Sequence, residues 1–440
     1  MNRKSARRLT AIFCLAVLLA PPSAAQMQPQ ESDSSPPELL TLESLLIDVR
    51  ESNPTLRAAR LDADALATRP AQVSSLPDPT AGVSYRPLGV TGFDGVLPGQ
   101  VTVQQMIPYP GKLRLAGEAA RLNARRAGYE TDELLLELEY QVKESYYELF
   151  LLQQHDHHIH SFQSELDDFE AAALARYEVG AAPQQAILKA QLERAALTRM
   201  RLEFAAKRRM HLERIARLVN RPDLAASEDE LVVERATLQP VTEIEPENAL
   251  DSRAEVMAMR TGISMADAEV AMAKKEYLPD FMIGAGIMDM MGPDARVMPV
   301  DNVGRRLGIE FGVVIPLQRG RRDAALDEAR LRRRAYEARL EAVQTEIETE
   351  LNDLQNRLRE DEKALALYRD MLMPQAETTL ASTMSAYTTG QADFLDLLDS
   401  RRMLLDLDME YEETYADYLK THARLERTMG IRGDADVAVR

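Results

Sequence analysis

Four of the six histidines fall in one short stretch, HDHHIH, as His155, His157, His158 and His160. Neutral imidazole is the commonest metal ligand among side chains. On a helix, however, His155 and His158 share one face, and His157 and His160 share another roughly 160° away. Ligands split across two faces cannot converge on one ion. The spacing therefore reads as a wet helical patch, with His155 and His158 the pair that could make a loose two-histidine site. His211 and His422 stand alone and read as structural.

A second group is soft. Met282, Met288, Met290, Met291 and Met298 crowd one segment, and thioethers suit Cu(I) or Ag(I). Methionine is equally an apolar filler, so packing or loop is the plain reading, and Met288, Met290 and Met291 are the metal candidates to set against it. A third group is acidic. Asp396, Asp399, Asp406 and Glu410 fall on one helical face beside an apolar stripe of Leu395, Leu398, Leu405 and Met409. A solvated face is one reading; a ring of carboxylates, if several copies surround a pore, is the other. No G-x-S-x-G, H-E-x-x-H, Walker A loop or Cys–His pair is present. The sequence predicts neither an enzyme nor a cofactor.

Aromatic residues make up only 5% of the 440 residues, and Trp is absent. Long stretches rich in Ala, Leu, Glu and Arg have the composition of extended helices. MNRKSARRLT followed by AIFCLAVLLA and PPSAAQ has the basic, apolar and small-residue parts of a signal peptide, placed at 1–25, leaving 26–440 as the mature chain. The apolar part is too short for a permanent anchor, and the one cysteine, Cys14, lies within it. Losing Arg3, Lys4, Arg7 and Arg8 takes the formal charge from −18 to −22. Such a chain repels nucleic acid and favours cations.

The chain is written twice. RYEVGAAPQQAIL (176–188) corresponds to AYTTGQADFLDLL (386–398), so Tyr177 and Gly180 match Tyr387 and Gly390. Repeat one runs about 38–225 and repeat two about 246–430. Each reads helix, strand, loop, strand, very long helix, Tyr-x-x-Gly turn, helix. Period-two alternation places strands near 79–87, 100–108, 280–290 and 306–316, each pair with one apolar face. Strands of about nine to eleven residues have the length a tilted membrane strand needs. Four strands cannot close a membrane barrel, since the smallest has about eight, so strands in a membrane require several chains to share one barrel. From Lys112 to Glu178 runs a 67-residue stretch without proline; as one helix it would span about 100 Å. Pro374 is expected to kink, not end, the long helix of repeat two.

Taken together, the two Tyr-x-x-Gly turns, MLMPQAETTL before the second and ADFLDLLDSRRMLL after it resemble the TolC-type outer-membrane efflux family. IPYPGKL (107–113) resembles its CusC/CzcC-like heavy-metal-cation branch. The resemblance implies a mainly α chain with a small β part. Three copies then share a twelve-stranded outer-membrane barrel and a helical tunnel across the periplasm. It implies a homotrimer in outer-membrane lipid, a periplasmic adaptor and an inner-membrane RND-type transporter as partners, and metal cations such as copper, silver, zinc or cobalt as cargo. By the same resemblance Tyr177, Gly180, Tyr387 and Gly390 mark the periplasmic turns and adaptor docking, and Asp396 and Asp399 the pore constriction. Arg401 and Arg402 become candidates for ion pairs that close the entrance. A drug-efflux or type I secretion duct shares this architecture, and a periplasmic coiled-coil scaffold remains as a reading from another class.

Overall fold

The computed structural model describes residues 38–84, 100–180, 183–225, 231–238, 250–251, 253–290 and 304–431. The signal-peptide segment 1–25, Met291 and Met298 lie outside these residues.

Long helices dominate the described residues, with one four-stranded and one two-stranded sheet. Repeat one begins with β1 (Glu38–Leu40), α1 (Leu42–Ser52) and α2 (Pro54–Ser74). It continues through β2 (Thr80–Ser84) and β3 (Gln100–Ile107) into α3 (Lys112–Glu178) and α4 (Gln184–Leu218). A short strand, β4 (Leu231–Val233), pairs in parallel with β1 and links the two ends of the repeat. Repeat two supplies α5 (Ala254–Lys275), β5 (Asp280–Met290), β6 (Gly304–Val314) and α6 (Arg319–Leu367). One π-helical turn, Tyr368–Leu372, then leads into α7 (Met373–Thr388) and α8 (Phe394–Met429).

The 67-residue α3 is unbroken over the stretch free of proline. Pro374 sits just after the π-helical turn, where the ladder widens to absorb the missing N–H, and the axis continues. Among the described residues, no helix is long and apolar enough to cross a membrane.

The four longer strands form one antiparallel sheet in the order β2-β3-β5-β6, so the two repeats meet at β3 and β5. The strand expected over 306–316 occupies Gly304–Val314. Its ladder with β5 ends where Val314 meets Asp280, ahead of Pro316, which has no N–H to give. On one face lie Val83, Val101, Val103, Phe281, Ile283, Ile287, Leu307, Ile309, Phe311 and Val313, all exposed. The other face is polar or bare over Gly82, Thr102, Gln104, Gly284, Gly286, Gly308 and Glu310, and turns apolar toward the helices at Met106, Met282 and Val314, beside Gly312. Among the described residues, strands β2 and β6 are open edges.

The IPYPGKL stretch is the joint between sheet and helix. Gly111 takes φ +96°, and the backbone N–H of Tyr109 donates to Asp280 Oδ1 at 2.7 Å. Lys112 Nζ pairs with the same carboxylate at 2.9 Å. The motif thus fixes the angle at which α3 leaves the sheet, through a residue of repeat two.

Two cores hold the helices together. The larger surrounds Tyr146, Phe150, Tyr415 and Tyr418, where α1, the middle of α3, the end of α4, β4, α6 and the end of α8 converge. The smaller lies toward the hairpin tips and gathers Ile159, Phe162, Leu166 and Phe169 of α3 with Tyr387, Phe394, Leu397 and Leu405.

Candidate functional site at the hairpin tips

Both turns reverse through a left-handed glycine, Gly180 at φ +74° and Gly390 at φ +76°, which a residue with a Cβ adopts only with strain. Beyond that the two repeats differ. Tyr177 is 44% exposed, whereas Tyr387 is 7% exposed and packs edge-on against Phe394. The reason is Arg176. Its guanidinium lies 4.3 Å from the centre of the Tyr387 ring and donates to the Tyr387 carbonyl at 2.9 Å. One hairpin therefore clasps the turn of the other, and only the clasped tyrosine is buried.

After the second turn, α8 is started by a capping box. Asp393 Oδ1 accepts from the Phe394 N–H at 2.6 Å, and Asp396 Oδ2 accepts from the Asp393 N–H at 3.1 Å. Asp396 is thus a helix cap as well as an exposed acid, and Asp399 is exposed beside it. Asp406 and Glu410 continue the exposed stripe, with Glu410 accepting from the Tyr368 hydroxyl at 3.1 Å. Leu398 and Leu405 turn inward. An open groove of about 1040 Å³ along α6 adds Glu341, Glu346, Glu350, Asp353 and Glu360 to the acidic surface.

Arg401 and Arg402 both bridge hairpins within the chain. Arg401, with a side chain 6% exposed, gives Nε to Glu165 Oε2 at 2.6 Å and Nη2 to Oε1 at 3.2 Å. Its guanidinium also lies 4.8 Å from the centre of the Phe162 ring. Arg402 reaches Glu193 of α4 at 3.4 Å. The contacts from Arg176, Arg401 and Arg402 tie the α3–α4 hairpin to the α7–α8 hairpin.

The histidine stretch is not the uniformly wet patch that its polarity suggests. His157 and His160 are exposed, but His155 is buried, its Nε2 lying 3.2 Å from the Met409 carbonyl. His158 is half-buried, with Nδ1 3.7 Å from Asp408. The polar sequence hid this because α8 supplies the covering surface, and neither helix alone shows which face it gives to the other. Burial pushes His158 down to about 4, helped by the nearby charge of His157 and His155. It pushes Asp408 up to about 6, against the pull of Arg401. Burial also lowers His155 and raises Glu412, the latter opposed by Arg235.

Among the described residues no group of three or more His, Cys, Asp or Glu is placed to hold a metal ion. Among those residues His155 and His158 have no third His, Cys, Asp or Glu placed with them to hold an ion. Met282 lies across from Gly312 and fills the space above it. Met288 and Met290 stand within β5, but their side chains lie outside what is described. Arg176, Glu165, Glu193 and Asp408 escaped the sequence reading. The one available signal was Arg176, a cation in the last turn of a helix, next to the repeated tyrosine.

Residues 246–431 match the family model for outer membrane efflux proteins. That match covers the second repeat, including β5, β6 and the α7–α8 hairpin. No curated protein sequence matches the chain significantly. Among solved structures, the outer membrane protein VceC from Vibrio cholerae is similar at 20% identity and TM-score 0.72, over 88% of this chain and 96% of that one. The Campylobacter jejuni CmeC outer membrane channel is similar at 12% identity and TM-score 0.75, over 90% and 87%. CusC is similar at 15% identity and TM-score 0.73, over 89% and 92%. The chain has the fold of these outer-membrane channels. The likeness to CusC stands level with the other two, so the structure singles out no branch.

Proposed function

We propose that the chain is one protomer of a homotrimeric exit duct in the outer membrane, the outer component of a tripartite efflux system. The observation that carries this reading is the sheet. Its outward face is apolar and exposed, its inward face is mainly polar or glycine, and both its edges are unpaired among the described residues. Such a sheet is stable in lipid only when its edges close on other copies. Three copies give twelve strands, within the size range of membrane barrels. The long helices, joined to those strands by the Asp280–Lys112 junction, extend the duct about 100 Å into the periplasm. The leader at 1–25 supports export.

The duct performs no chemistry. The hairpin tips face the periplasmic adaptor, and Tyr177, Gly180, Tyr387 and Gly390 shape the docking end. Asp396 and Asp399 form acidic rings at the narrow entrance. The Arg176, Arg401 and Arg402 ties hold each inner hairpin against its outer neighbour in the closed state. Opening separates them when the adaptor, joined to an inner-membrane RND-type transporter, pulls the α7–α8 hairpin outward.

Heavy-metal cations are the proposed cargo, on the resemblance of IPYPGKL and the acidic surface, with drugs or a secreted protein as the alternative. Growth of a deletion strain against copper, silver, zinc, cobalt and hydrophobic drugs decides between them. Selective sensitivity to the metals supports the metal cargo, and sensitivity to drugs alone overturns it while leaving the duct.

A further inference from the structure

The inward face of the sheet carries a charge placed with care. Thr80, Gln104, Gly284 and Glu310 form one row across β2, β3, β5 and β6. Gln104 Nε2 donates to Glu310 Oε2 at 3.2 Å, reaching over the intervening strand. Gly284 permits that reach, because a Cβ there would stand 3.1 Å from Gln104 Cγ and 3.5 Å from Glu310 Cβ. The next row holds Gly82, Thr102, Gly286 and Gly308, and Gly312 follows Glu310 on the same face of β6. The carboxylate is therefore open on the side of Gly286 and Gly308, while Met282 fills the space above Gly312 on the other. Asp280 shares this face at the far end of the ladder, but Lys112 and the Tyr109 N–H hold it at the helix junction. Among the other described side chains of the inward face, Glu310 alone is charged; Arg306 shares the face by register, two rows farther from the helices.

We propose that Glu310 is a cation-selectivity residue of the barrel, distinct from the hairpin-tip acids. The proposal rests on the trimeric-duct reading, in which it becomes a ring of three carboxylates. Twelve strands spaced ~4.8 Å apart and tilted ~40° give a backbone radius of ~12 Å. A glutamate reaching ~5 Å inward puts its charge ~7 Å from the axis, inside the ~10 Å Debye length of 0.1 M salt. Every permeating ion thus passes within the field of all three charges. A ring of like charges in a lumen favours counter-ions and repels co-ions. The hairpin-tip acids lie the length of α3 away, ~100 Å, and are screened from this ring.

The test is the reversal potential of the full-length channel in planar bilayers under a KCl gradient, for wild type, Glu310→Gln, Glu310→Lys and Glu310→Asp. Gln preserves the hydrogen bond to Gln104 and removes the charge. At 0.1 M the Coulomb energy of three screened charges at this radius is about 0.9 kcal/mol, opposite in sign for cation and anion, so the cation-over-anion permeability ratio falls about ten- to twentyfold in Glu310→Gln. It falls further in Glu310→Lys and stays within about twofold of wild type in Glu310→Asp. The differences grow at 10 mM and vanish near 1 M, where the Debye length is ~3 Å. A structural role would not follow salt in this way. Unchanged ratios at 10 mM in Glu310→Gln and Glu310→Lys, with conducting channels, overturn the proposal and leave the duct standing. A fall in Glu310→Asp equal to that in Glu310→Gln also overturns it. Absence of any channel in the wild type overturns the duct reading and this proposal together.

Discussion

Replacing Arg401 with alanine should release the closed entrance. The wild-type guanidinium makes two hydrogen bonds to Glu165 and lies over the Phe162 ring. Charge-assisted bonds of this kind contribute about 1.5–3 kcal/mol. Because Glu165 remains 41% exposed and can return to water, about 1–2 kcal/mol is the better figure here. The aromatic contact adds roughly 0.5–1 kcal/mol. Each protomer therefore loses about 2 kcal/mol of closure, and a trimer about 6 kcal/mol. Inverting a two-state equilibrium from 1:99 to 99:1 takes about 5.5 kcal/mol. Single-channel recording should show Arg401→Ala mostly open where the wild type is mostly closed. Arg214→Ala is the control, because its pair with Glu144, at 2.9 Å, joins α4 to α3 within one hairpin and should leave gating unchanged. If Arg401→Ala assembles normally and shows the wild-type conductance and open probability, the ties between hairpins do not hold the entrance.

Asp408→Asn should stabilise the protein at neutral pH but not in acid. Burial lifts the folded-state pKa of Asp408 from 3.8 to about 6, so the folded chain keeps a proton that the unfolded chain releases, and stability falls as pH rises through that window. Asparagine removes this loss, a gain of about 2–3 kcal/mol at pH 7 and near zero at pH 4; equal unfolding midpoints of variant and wild type at pH 7 would contradict it. His158 acts in the opposite sense: burial lowers it from 6.5 to about 4, so its contribution is lost as pH falls through that range, and His158→Gln should flatten the acid limb of the stability profile. Gly262→Ala should destabilise the contact between α5 and α6 by roughly 1–3 kcal/mol, because the new Cβ would stand 2.6 Å from Tyr336 Cε1. Restoration by Gly262→Ala/Tyr336→Leu, read as the thermal midpoint, checks that the clash is the cause.

Much of this architecture could be read from the chain. The limits of α3 are written in the absence of proline between Gly111 and Gly180, and the strands in their alternation. Period two also separates the faces of the sheet, because successive side chains of a strand point to opposite sides and the two sides here carry opposite residue types. What escaped the sequence depends on how two helices face each other. The repeat makes Tyr177 and Tyr387 look equivalent, yet the position matching Arg176 in repeat two is Ala386, and of the two tyrosines only Tyr387 is buried. His155 and His158 look solvated until α8 is laid across them. Asp396 reads from the sequence as an exposed acid alone, but its bond to the Asp393 N–H also starts the helix, so its loss perturbs the fold of α8.

The central claim is that four strands with open edges become a barrel only through three chains. Native mass spectrometry of the full-length protein, extracted from outer membranes in detergent, measures this directly. The account predicts a folded assembly of three chains that dissociates on heating. A folded monomer, or an assembly found only in the soluble periplasmic fraction, would contradict it.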